Sequence, residues 1–280
     1  MTTEILRYSA FTRDGAGGNP AGVVLDASAL TDAEMLAIAT ELGYSETAFV
    51  VPGGGAGRAG VRYFSPVAEV PFCGHATIAT AVALADRDGP GVLELATMVG
   101  TITVQTERTD DGTTATLTSP PARSAPIDPD VLARMLAALR WSEADLDPSY
   151  PPHVAFAGNQ HPVLVVRDEA TLAALDYDYD ALAALMAEQD WITAHLVWAE
   201  SPTTFHARDP FPPGGVVEDP ATGAAAAAFG GYLRTTGLAP VPGSVTILQG
   251  HHMGAPSRLL VQLDAGTEST RVTGSATRLT

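Results

Sequence analysis

Three short stretches of the chain combine residue types and spacings that suit proton chemistry. The first is Gly43-Tyr44-Ser45-Glu46-Thr47-Ala48-Phe49-Val50, with a carboxylate at the head of an apolar strand. A carboxylate there is either exposed at the strand end or held in a pocket, where poor solvation raises its pKa and suits it as a general base. The second stretch is Cys73-Gly74-His75-Ala76-Thr77, reached through Pro71-Phe72. A proline followed by a glycine turns the chain before a helix begins. The glycine admits close approach to the backbone, and the free N–H groups at the positive helix end attract an anion. The third stretch, Glu218-Asp219-Pro220-Ala221-Thr222-Gly223-Ala224, repeats this design and runs into alanines. Two such helix starts suit the binding of a substrate carboxylate. The alternative is that both glycines are turn elements and the alanines serve close packing. Asp219 likewise suits either substrate contact or helix capping, a role worth about 1 kcal/mol. His75 is either a site residue or a satisfied structural histidine. Cys73 either lines a site or is a small buried apolar residue.

Composition removes other chemistries. All fifteen basic residues are arginine, so there is no lysine to form a Schiff base with pyridoxal phosphate or to serve a P-loop. A single cysteine excludes an internal disulfide and any multi-cysteine zinc site. His251-His252 lacks a third partner at metal-ligand spacing, and G-x-S-x-G is absent. The G-x-G-x-x-G match at Gly55-Ala56-Gly57-Arg58-Ala59-Gly60 lies in a glycine-rich stretch between two strands and opens no helix, so it carries no dinucleotide site. The expectation is an enzyme with no metal and no organic cofactor. A formal charge of −17 without any basic cluster argues against nucleic acid as a partner. No apolar run reaches the ~18–20 residues of a membrane span, and no secretory signal is visible, so a cytoplasmic location is expected.

Short strands alternate with helices along the chain. Ile5–Tyr8, Val23–Leu25, Thr47–Val51 and Val61–Phe64 read as strands. Thr31 with Glu34 forms a capping box that opens a helix ended by Gly43, and a second helix runs from Gly74 to about Ala85. Thr101–Glu107 and Thr114–Thr118 read as a hairpin turning at Asp111-Gly112, and Gly53–Gly57 as a flexible loop between strands. The breaker-rich segment from Ser119 to Pro126 reads as a linker, and Asp128-Pro129 opens a further helix. The second half then echoes the first. Gly18-Asn19 before Val23-Val24 matches Gly158-Asn159 before Val163–Val166. A spacing of 28 residues separates Glu46 from Gly74, and the same spacing separates His195 from Gly223. Such ordered similarity signals internal duplication. A duplicated protein offers equivalent features of both halves to one cleft, and here these would be the two helix starts.

As an ordered set, these stretches resemble the phenazine-biosynthesis PhzF-like family, within the diaminopimelate-epimerase superfold. The matching pieces are Phe11-Thr12 with Gly18-Asn19-Pro20-Ala21-Gly22-Val23-Val24, then Ser45–Phe49, Arg62–Pro66, Glu69–Thr77 and Glu218–Gly223. The resemblance implies an α+β fold of two pseudo-symmetric lobes, each a curled, mostly antiparallel sheet around a central helix. The expected division is residues 1–119 with 271–280 against 120–270. The resemblance also implies a homodimer and a small carboxylate-bearing substrate. By it, Glu46 is the catalytic acid/base with His75 and Asp219 as partners. Asn19, Cys73, Gly74, Gly223 and Ala224 bind substrate. The implied reaction is an isomerisation that moves a proton and a double bond. Epimerases of the superfold use one cysteine per lobe; here Cys73 holds one such place and Asp219 is assigned the other, so a Cys73/Asp219 racemase is the rival reading. A non-catalytic binding protein is the third. Ala224 stands where many family members carry serine, which suggests a different substrate.

Overall fold

The computed structural model describes residues 3–53, 55–110 and 112–280. Asp111 of the expected hairpin turn and Gly54 of the expected glycine loop lie outside the described residues. The chain forms two compact units: Met1–Thr118 with Thr273–Thr280, and Ser119–Val272.

The first unit runs β1 (Leu6–Ala10), β2 (Asn19–Val24), α1 (Asp32–Leu42), β3 (Glu46–Pro52), β4 (Arg58–Phe64), β5 (Glu69–Val70), α2 (Gly74–Asp88), β6 (Val92–Thr97), β7 (Gly100–Thr109) and β8 (Gly112–Thr118). The second runs β9 (Arg123–Pro126), α3 (Pro129–Leu139), β10 (His153–Phe156), β11 (Gln160–Val166), α4 (Glu169–Ala173), α5 (Tyr179–Gln189), β12 (His195–Ser201), β13 (Thr204–Phe211), β14 (Val216–Asp219), α6 (Gly223–Thr236), β15 (Gly243–Gln249) and β16 (Ser257–Leu263). The last strand, β17 (Thr270–Arg278), begins in the second unit and ends in the first.

In the first unit, β2 pairs antiparallel with β1 and parallel with β3, and β4 pairs antiparallel with β3 and parallel with β6. β7 then joins β6 to β8 by antiparallel pairing. β17 pairs with both β8 and β1, so eight strands close into a barrel. Its interior is filled by α2, which packs on β1, β2, β3, β7 and β8. Every residue of α2 from His75 to Ala85 is buried. A helix buried on all sides must be apolar all round and thin enough for the sheet to curl about it, which accounts for its run of Ala, Thr and Val. Its interior threonines satisfy their hydroxyls within the helix: Thr77 Oγ1 donates to the Cys73 carbonyl at 2.6 Å and Thr80 Oγ1 to that of Ala76 at 2.7 Å. A smaller core outside the barrel packs Met35 and Ala39 of α1 against Phe49 and Phe64.

The second unit repeats this plan. β11 pairs antiparallel with β10 and parallel with β12, while β13 pairs antiparallel with β12 and parallel with β15, which continues to β16. α6 fills the curl, packing on β9, β10, β11 and β16. The equal spacings seen in the sequence are matched element for element: β3 begins at Glu46 and α2 at Gly74, while β12 begins at His195 and α6 at Gly223. An ion pair is repeated as well. Arg62 of β4 forks onto Glu69 of β5, both contacts at 2.7 Å, and Arg208 of β13 forks onto Glu218 of β14 at 3.0 and 2.6 Å. Each bidentate pair fastens the hairpin that delivers the chain to its central helix.

One reading changes. The segment expected as a linker contributes β9, which pairs with β10, and the Ala122 N–H donates to the Glu268 carbonyl at 2.9 Å. Pro120 and Pro121 precede β9 and Pro126 is its last residue, so the missing N–H groups fall outside or at the end of the strand. Among the described residues, no helix is long and apolar enough to cross a membrane.

Candidate active site

Glu46 is the first residue of β3, paired with Ala21 of the parallel neighbour β2, and two residues before Ala21 stands Asn19, the first residue of β2. Parallel pairing therefore brings the heads of both strands to one end of the barrel. The N-terminus of α2 reaches the same end, with Cys73 at the N-cap and His75 in the first turn. The result is a compact cluster. His75 Nε2 lies 3.4 Å from Glu46 Oε2 and 3.4 Å from Ser45 Oγ. Its Nδ1 lies 3.3 Å from Asn19 Nδ2 and 3.3 Å from Cys73 Sγ. The Glu46 side chain is 18% exposed and that of His75 8%. Glu46 is thus half-buried beside a buried imidazole, and the reading of an exposed surface glutamate falls away.

Burial pushes the His75 pKa below the usual imidazole value, and the Glu46 carboxylate pulls it back only in part. The ring is therefore neutral near pH 7. When the Asn19 amide donates to Nδ1, the single ring proton sits on Nε2 and points toward Glu46. The helix end adds to this field. Cys73 makes no side-chain capping bond, the first turn of α2 carries no acid, and the first N–H bonded within the helix is that of Thr77. The N–H groups of Gly74, His75 and Ala76 therefore precede the helix's own ladder. A side chain at Gly74 would project into open space, so nothing in the packing demands glycine there. Its absence leaves the helix end approachable.

Asp219, Gly223 and Ala224 lie together in the second unit. Asp219 ends β14, half-buried, and its Oδ2 accepts from Thr222 Oγ1 at 2.6 Å. Asp219 is not the cap of α6. The N-cap is Thr222, which makes no side-chain capping bond, so this helix also starts open. The element repeat sets Thr222, rather than Asp219, opposite Cys73 as the residue before the helix glycine. Gln249, buried at the end of β15, ties the turn down: its Nε2 donates to the Asp219 carbonyl at 2.7 Å and its Oε1 accepts from the Thr222 N–H at 3.1 Å.

Gln249 is a residue that reading the sequence missed. So is the fully buried pair in which His195 Nδ1 lies 2.8 Å from Asp209 Oδ1, next to buried His161. His195 is the repeat counterpart of Glu46, and the matched 28-residue spacing was the available signal. Asp209 in turn lies directly across the ladder from Asp219. A cavity of about 170 Å³ opens at the other end of β3, around Val50, Pro52, Leu84 and Arg87. Strand rise of ~3.3 Å per residue sets it several residues along β3 from Glu46, and its lining mixes aliphatic residues with Arg58, Arg87 and Asp88.

These features agree with what the chain resembles. The family described as "Phenazine biosynthesis-like protein" matches residues 8–280. The trans-2,3-dihydro-3-hydroxyanthranilate isomerase of Pseudomonas chlororaphis is 33% identical over 275 residues, covering 97% of this chain and 94% of its own. The uncharacterized isomerase YddE of Escherichia coli O157:H7 is 33% identical over 263 residues, covering 92% and 88%. Among solved structures, a "Predicted Epimerase" from Pseudomonas aeruginosa superposes with a TM-score of 0.87 at 28% identity, over 100% of this chain and 98% of the other. The chain belongs to the phenazine biosynthesis-like family and is an isomerase of the PhzF type.

Proposed function

We propose that the enzyme relocates a proton, and with it a double bond, within a small cyclic carboxylate, with Glu46 as the proton shuttle. The observation that carries this reading is the half-buried Glu46 carboxyl group 3.4 Å from the buried His75 ring. Glu46 takes a proton from carbon and the electron pair moves into an enolate or dienolate. Glu46 then returns the proton to another carbon on the same face, so atoms and charge balance and no electron carrier is needed. Donors held in place before reaction stabilise the charge that develops, and the His75 N–H and the N–H groups at Gly74 suit that task. Asn19 and Cys73 line this site, and on the family resemblance alone we assign Asp219, Gly223 and Ala224 to substrate binding as well.

The relative from Pseudomonas chlororaphis is named for trans-2,3-dihydro-3-hydroxyanthranilate, and we take a ring acid of that kind as the substrate class. Ala224 lacks the hydroxyl that the family commonly offers at this place, so we assign this enzyme a ring acid with one polar substituent fewer to bind. We further propose, on family likeness, that it works as a cytoplasmic homodimer without metal or organic cofactor. A monomeric mass in solution would contradict the first point, and loss of turnover on chelation the last.

The experiment is proton exchange in deuterated water over a panel of cyclic unsaturated carboxylates, followed by nuclear magnetic resonance. The expected result is a shifted double bond with deuterium or internally returned protium at the new C–H position. Inversion of a stereocentre with the double bond unmoved would instead support the Cys73/Asp219 racemase.

A further inference from the structure

No metal-ligand spacing is visible along the chain, yet the fold gathers Glu46, Cys73 and His75 so that one ligand atom from each lies within 4.8 Å of the others. The set is one thiol, one imidazole and one carboxylate, the mixture that borderline-soft divalent ions favour. Two of its three separations are close to those around a bound ion. Ligands at ordinary zinc bond lengths around a tetrahedron stand about 3.5 Å apart for S···N and about 3.3 Å for N···O. Here Cys73 Sγ is 3.8 Å from His75 Nε2, and His75 Nε2 is 3.4 Å from Glu46 Oε2. Cys73 Sγ stands nearer Nδ1, at 3.3 Å, so the cysteine side chain must rotate toward Nε2 to close the set on an ion.

The surroundings can support that role. Binding through Nε2 requires the other ring nitrogen to carry the proton, and Asn19, 3.3 Å from Nδ1, can turn its amide oxygen to accept it. Cys73 and His75 are buried while Glu46 is half-buried, and the space beside Gly74 is open, so the set supplies three protein ligands next to an approachable helix end. Three protein ligands with an open position is the pattern of an accessible zinc site, not of a closed structural one.

We propose that Glu46, Cys73 and His75 form an inhibitory site for zinc-like divalent ions, whose occupation ties up the proton shuttle. Binding displaces the thiol proton to solvent, leaves the oxidation state of the ion unchanged, and occupies the carboxylate that must accept the substrate's proton. The metal site stands on geometry alone. That its occupation inhibits rests on Glu46 as the base.

The test begins with protein stripped by a chelator and desalted. Zn²⁺ alone is titrated calorimetrically, and Co²⁺ is used as a coloured substitute. We expect one equivalent bound, release of a proton, a thiolate-to-cobalt charge-transfer band, and turnover that falls with occupancy and returns on chelation. Cys73→Ser should lose that band and weaken Zn²⁺ binding at least tenfold. Asn19→Ala should weaken it about 10–100-fold, as loss of an outer hydrogen bond to a ligand does. Thermal unfolding confirms that each variant is folded, and should Asn19→Ala fail, Cys73→Ser decides alone. No stoichiometric binding, or a cobalt spectrum without a thiolate band, would overturn the metal site and leave the role of Glu46 untouched. Zn²⁺ bound with turnover unchanged would overturn the inhibition and count against Glu46 as the base.

Discussion

His75 has two neighbours of opposite consequence. Burial keeps its ring neutral below the ordinary imidazole pKa, and Glu46 works against that. A second carboxylate at Asn19, which touches Nδ1, would tip the balance. Asn19→Asp should therefore raise the His75 pKa and move the acid limb of the pH–rate profile upward, with ring resonances followed by titration as the direct check. An unmoved ring pKa would show that Asn19 is not the partner of Nδ1. Cys73 is a lesser participant: Cys73→Ser should lower turnover by less than about tenfold, whereas the racemase reading requires near-complete loss. At this scale the sequence was legible where residue type and position sufficed, as at Glu46 and His75. It was silent on Asp209 and Gln249, whose importance comes from strand pairing with β14 and from reach across a turn, neither of which leaves a local pattern.

The elements hold these groups through two central helices, each packed so closely that side-chain volume is rationed along it. At Gly231 of α6, a Cβ would lie 2.6 Å from that of Ala122 and 3.0 Å from the Ala122 carbonyl carbon. Ala122 cannot drift away without straining its bond to Glu268. Gly231→Ala gains about 1 kcal/mol of helix propensity but overpacks against backbone, a cost of roughly 1–3 kcal/mol. The net prediction is destabilisation of about 1 kcal/mol, read from the denaturant midpoint, and a stabilised variant would contradict the packing. The caps, the helix starts and the repeat were legible because each rests on few residues at fixed offsets: Thr31 with Glu34, Gly74, and Gly223. The segment from Ser119 to Pro126 does stand where the two units divide, but its second half, Arg123–Pro126, is strand β9, because proline signals a break without saying how soon a strand resumes.

Across the whole molecule, acidity and buried imidazoles make stability depend on pH. Burial depresses His161 to about 4, with His195 adding to the effect and Asp209 opposing it. A histidine whose folded pKa lies below its unfolded value favours folding in its neutral form. As pH falls below about 6.5 the unfolded chain takes up a proton that the folded chain refuses, so stability declines until pH reaches about 4 and then levels off. The contribution is on the order of 3 kcal/mol. His161→Gln should flatten the fall of unfolding free energy between those limits, and an identical slope would remove His161 as its source. The net charge of −17 gives the folded chain self-repulsion that salt should relieve near neutral pH.

The central claim is that Glu46 carries the proton. Glu46→Gln preserves shape and hydrogen bonding but cannot accept a proton, so the direct measurement is the turnover of this variant on a substrate identified by proton exchange, with folding and ligand binding checked alongside. A shuttle role for Glu46 entails a loss of at least ~10²–10⁴-fold in turnover with binding retained, and a far smaller loss for Cys73→Ser. A folded Glu46→Gln enzyme that turns over at the wild-type rate would contradict it.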